Sequence, residues 1–215
     1  MSSRSIANRL EAARLALTNA LAESELLTAL AQCGYDEARL QQGKSHYESA
    51  LAVWQSQQQK QSRRRAAVLA CNQADAAATH PYMRSVKLCR ILYRDDLVTY
   101  RALGLVGIRS RSFATKVAQM RLFYTTALGS PQILATLADY GVSESQLQAD
   151  FALVAVLESA RSRREVENGA VQDATQSRLQ AFSALERWMG DFASIARLAL
   201  EESPQRLEML GLAHS

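Results

Sequence analysis

The chain has 215 residues, a formal charge of +4 and 48% hydrophobic side chains, with only 9 Gly and 3 Pro. Such a composition excludes a disordered chain and a turn-rich β protein, and the length allows a sizeable core in one or two domains. No apolar run approaches the roughly 20 residues of a membrane-spanning helix, and Cys33, Cys71 and Cys89, none at Cys-x-x-Cys spacing, read as buried free thiols of a reducing, cytoplasmic compartment.

In chain order, Arg4, Arg9 and Arg14 among Ala and Leu predict an amphipathic first helix. It has features of a transit peptide or a membrane-surface helix, but the same pattern recurs between Ser110 and Leu128, which makes both core elements. A short helix stops at Gly34, and Asp36 caps the next. At Gln61-Ser62, a weak breaker, a hairpin turn is expected, and Pro81 is expected to break the returning helix after Thr79. The alternative is a single helix over 36–78 with the turn moved to His80-Pro81. A short junction from Gly104 to Ser112 follows.

In the second half, Ser112 is placed to cap a helix running to about Leu128, with Val117, Met120, Phe123 and Tyr124 at helical spacing. Ser130-Pro131 starts a short helix that ends at Gly141. Ser143 and Gln146 form a capping box for a helix through Leu147, Phe151, Val154 and Leu157 to about Glu167. Asn168-Gly169 is expected to turn the chain into a helix carrying Phe182, Leu185, Met189 and Phe192, which ends near Leu200. Ser203-Pro204 begins the last helix, and Gly211 ends it.

The halves repeat. Residues 1–107 fall on 108–214 without a gap: Ser3-Arg4-Ser5 lands on Ser110-Arg111-Ser112, and Leu103-Gly104-Leu105 on Leu210-Gly211-Leu212. The expected architecture is all-α, a tandem duplication of a module of 107 residues, with modules 1–107 and 108–215 packed closely. Each module is expected to hold a long antiparallel helical hairpin and three shorter helices. Charge is uneven, +5 in residues 1–107 and −1 in the remainder, which favours head-to-tail contact between molecules.

Chemistry is sparse. None of His46, His80 and His214 has a Glu three positions before it, so no bundle-type metal site is expected. Phosphate loops, nucleophile elbows and zinc-protease patterns are also missing from the sequence. The expectation is a non-enzymatic structural or interaction protein without cofactor or metal, self-assembling as a homo-oligomer. Tyr93, Tyr100, Tyr124 and Tyr140 would serve as interface residues wherever they are exposed. The alternative is a module that binds nucleic acid or an acidic protein without sequence preference. Its cations would be Lys60, Arg63, Arg64 and Arg65 at the hairpin tip, and Lys87, Arg90, Arg94 and Arg101 as one helical stripe. A third reading is a small-molecule binder with a pocket between the modules. Glu158 and Arg178 interrupt the apolar stripes about equally far from Asn168-Gly169, which predicts that they pair across the hairpin.

Overall fold

The computed structural model describes residues 3–110 and 112–212. Arg111 and His214 lie outside them, as does the Arg4 side chain. Among the described residues the chain is all-helical, without strands. The helices are α1 (Ser3–Ala22), α2 (Ser24–Gln32), α3 (Glu37–Leu92), α4 (Leu97–Ala102), α5 (Phe113–Leu128), α6 (Pro131–Asp139), α7 (Glu144–Ala199) and α8 (Pro204–Met209). Both bounds of α6, α7 and α8 are those of α2, α3 and α4 displaced by 107 positions.

The short elements begin and end where their local chemistry directs. Ser130 Oγ accepts from the Ile133 amide, and Ser143 Oγ from Gln146, each satisfying an orphan donor of the first turn. Ser112 makes no side-chain cap; its carbonyl accepts from the Lys116 amide instead. At Gly141, φ is +78°, and the Val142 amide donates back to the Leu137 carbonyl. This is a left-handed helix stop that an L side chain resists.

The expected hairpins do not form. Gln61-Ser62 lies inside α3 and Asn168-Gly169 inside α7, each helix running unbroken for 56 residues. The reason is a continuous seam. On α7 the covered or half-covered positions 147, 150, 154, 157, 161, 164, 168 and 171 alternate in steps of three and four straight through the supposed turn, the spacing of a coiled-coil face. Four of these are Asp150, Arg161, Arg164 and Asn168, so the seam is polar where it crosses the break. Pro81 does not interrupt α3 either. It removes a donor and costs roughly 3 kcal/mol in a helix interior. Ala78, Tyr82, Val86 and Cys89 on both sides of it are buried in one core, and each large apolar side chain buried contributes about 1.5–3 kcal/mol.

The chain packs as two compact units that are not the sequence halves. One takes the residues up to Ser62 together with those from Gly169 onward; the other is the contiguous stretch Arg63–Asn168. In the contiguous unit, the second part of α3, the first part of α7, α5 and α6 enclose Tyr82, Phe123, Tyr124, Leu137 and Leu157. Tyr124 stacks on Phe151 with centroids 5.6 Å apart. In the split unit, α1, α2 and α8 close over the first part of α3 and the last part of α7. There Trp188 stacks on Phe192 at 5.3 Å and meets the edge of Tyr35 at 5.6 Å.

Candidate functional site

Within the contiguous unit, α3 and α7 run antiparallel, with Arg64 Nε donating to Asn168 Oδ1 at 2.7 Å. Further along, small side chains leave a groove of about 470 Å³ lined by Ala67, Ala70, Ala155, Val156, Ser159, Ala160 and Arg163. Side chains this small let another helix approach the backbone closely. Val156, 54% exposed, adds uncovered apolar surface on the groove wall.

One cation, Arg163, lines the groove. Arg163 is exposed and makes no hydrogen bond or ion pair among the described residues. Neighbouring arginines are engaged: Arg161 pairs with Glu165 at 3.1 Å and lies over the Phe113 ring at 5.3 Å, and Arg164 pairs with Glu165 at 2.9 Å. Arg63 and Arg65 are exposed and unpaired among the described residues. Three consecutive helical residues fan out at about 100° steps, so Arg63, Arg64 and Arg65 are not one patch on a hairpin tip. Lys60 is half-buried and belongs to the split unit.

The second predicted stripe does not exist. Helix α3 ends at Leu92, so Arg94 falls in the turn, paired with Asp95 at 3.1 Å, and Arg101 sits on α4. Arg90 is turned inward, donating to the Leu105 carbonyl at 3.0 Å and the Gly107 carbonyl at 2.7 Å. It ties down the loop after α4. Lys87 and Arg101 are exposed without a side-chain partner among the described residues, but they lie on different helices.

Glu158 and Arg178 do not meet, because no turn separates them. Glu158 pairs with Arg121 of α5 at 2.5 Å, and its hydrogen bond raises the Arg121 pKa. Arg178 donates to Gln57 Oε1 at 3.1 Å, and Gln57, 2% exposed, donates to Thr175 at 3.0 Å. That polar layer satisfies its own groups within the split unit.

Arg163 and the alanines around it were not anticipated from sequence. The run Ser159-Ala-Arg-Ser-Arg-Arg164 holds as many arginines as Arg63–Arg65, spread over twice the length, and is the available signal, diluted by Glu165 and Glu167.

Nucleophiles and metal ligands are dispersed. No group of three or more His, Cys, Asp or Glu among the described residues is placed to hold a metal ion. His46 is half-buried and His80 exposed. Cys71 and Cys89 are buried and Cys33 half-buried, and burial pushes the Cys89 thiol up to about 12. Of the tyrosines, Tyr124 is fully buried with an unpartnered hydroxyl, and burial, then Asp150, then Tyr82 raise its pKa. Tyr93 and Tyr100 are half-buried, and Tyr140 is exposed. No helix among the described residues is long and apolar enough to cross a membrane. No protein-family model, curated protein or solved structure matches this chain.

Proposed function

We propose that this chain is a non-enzymatic interaction protein, a tandem duplicate of one helical module, which seats an acidic amphipathic helix of a partner protein in the α3–α7 groove. The single observation behind the choice of partner is the groove itself: a trough of alanines with the free cation Arg163 on its wall. A partner helix would lay small apolar residues in the trough and set Glu or Asp against Arg163, with Arg63 and Arg65 adding longer-range attraction. Nucleic acid fits less well, since phosphate binding gains nothing from an alanine trough and no aromatic lines it for base stacking. The equal displacement of three helices supports the duplication, and the split packing gives each unit elements from both halves.

The test is fluorescence anisotropy with a designed amphipathic peptide, one Ala/Leu face flanked by Glu, against a duplex DNA of similar charge. The full-length protein is expected to bind the peptide. Arg163→Glu should weaken binding by about tenfold or more, near 1.4 kcal/mol, and Ala70→Trp should abolish it by filling the trough. Duplex binding with a steep salt dependence, indifferent to Ala70→Trp, would move the assignment to nucleic acid. Binding of neither probe would end it.

Self-association is the second reading, and a separate observation favours it. Between Ile91 and Ile108, five large apolar side chains are exposed: Ile91 68%, Leu97 61%, Val98 81%, Val106 61% and Ile108 93%. Uncovered apolar residues concentrated in one stretch of chain are a mark of interfaces. Light scattering over a concentration series reads it directly, and a strict monomer at high concentration rejects it.

A further inference from the structure

We infer that the split unit carries a binding site for a small aromatic carboxylate, between α1 and α3. The inference rests on the duplication part of the reading above and is independent of the acidic-helix part. A groove of about 240 Å³ lies there, lined by Arg14, Leu17 and Leu21 of α1 and by Lys44 and Tyr47 of α3, among others. It has room for one ring with a short polar arm, below the size of a usual drug pocket.

The chain itself shows what fills such a space. Positions 107 residues further on from Leu17 and Lys44 are Tyr124 and Phe151. In the contiguous unit these two rings stack, 28° from parallel, and Tyr124 is completely buried. Leu17 and Lys44 put no ring there, and the corresponding place in the split unit is an open groove. An incoming aromatic ring would restore the missing layer against Leu17, Leu21 and Tyr47.

The charge on the groove selects an acid. Arg14 is already engaged, donating to Glu11 at 2.6 and 3.0 Å. Its counterpart Arg121 crosses instead to Glu158 on α7; the position equivalent to Glu158 is Leu51, which offers no carboxylate. Lys44 makes no hydrogen bond or ion pair among the described residues. A free ammonium on the wall of an apolar groove favours a carboxylate attached to the ring.

Protein-observed NMR with phenylacetate tests the site, with benzyl alcohol as the neutral comparison. Saturable shifts confined to α1 and the start of α3 are expected. Lys44→Met should weaken phenylacetate about tenfold while leaving benzyl alcohol unchanged. Thr18→Trp, at the exposed wall, should block both ligands without touching the core. The double variant Leu17→Tyr/Lys44→Phe, which writes the other unit's stack into this one, should lose both ligands and melt at a higher temperature. Wild-type protein without saturable shifts at millimolar phenylacetate, or with equal losses of both ligands in Lys44→Met, overturns the site. A double variant that unfolds, while the wild type still binds phenylacetate, counts instead against the duplication.

Discussion

Gly43 sits in the interior of α3, where glycine costs about 1 kcal/mol relative to alanine. Trp188 explains its presence. A Cβ built on Gly43 would lie 2.3 Å from the indole Cη2 and 2.5 Å from Cζ2, and the ring cannot retreat because Tyr35 and Phe192 hold it. The positions 107 residues away from Gly43 and Trp188 are Asp150 and Pro81, a larger residue on one helix where the other carries a smaller one. Overpacking of this kind costs roughly 1–3 kcal/mol, more than the gain in helix propensity. Gly43→Ala is therefore expected to lower the thermal midpoint, and combining it with Trp188→Leu should cost less than the two changes added, since they share one contact. Calorimetry of the two single variants and the double variant checks both statements; strict additivity would show that the contact is not the cause. Arg14 and Arg121 illustrate the same dependence on a neighbour: one arginine stays on its own helix and the other bridges to α7, according to whether position 51 or its counterpart 158 offers a carboxylate.

At the scale of elements, the unbroken α3 and α7 define the protein. Gly169 is the direct probe. It lies mid-helix, its φ is not positive, and a Cβ there would meet nothing within 4 Å. Gly169→Ala should thus stabilise by about 0.5–1 kcal/mol, raising the thermal midpoint by roughly 1–4 °C for a chain of this size. A tight turn at that position would give the opposite sign. The caps and short helices were legible in sequence because Ser130-Pro131, Ser143, Gly34 and Gly141 act on their immediate backbone. The long helices were not, and the reason is physical. Their seam keeps its spacing of three and four, but Gln57, Arg161, Arg164 and Asn168 occupy it, so a pattern sought in apolar residues vanishes where the helix continues. Asn168-Gly169 then reads as a turn, although a glycine's cost of about 1 kcal/mol cannot reverse a helix packed on both sides. The candidate groove follows suit: Arg63–Arg65 stand out in composition, whereas Arg163, Ala67 and Ala70 matter only once α3 and α7 are known to lie side by side.

For the molecule as a whole, each compact unit takes elements from both sequence halves. Helix α4 places Gly104 against Leu122 of α5, where an added Cβ would come within 2.8 Å of Leu122 Cδ2. Gly211, after α8, faces Leu15 of α1, 3.3 Å away by the same measure. Under the proposed duplication, the sequence would read the same way from either starting point. A circular permutant joined by a short linker and opened between Gly107 and Ile108 should keep a native-like helical content and a cooperative melt by circular dichroism. Loss of cooperative unfolding would show that the halves are not interchangeable. The split packing also sets a timetable during synthesis. Residues up to Ser62 must wait for Gly169 and beyond, which at about 5–20 residues per second means an interval on the order of ten seconds. The contiguous middle of the polypeptide can accordingly pack first, while α1 and α2 leave the ribosome with the faces they later bury still uncovered.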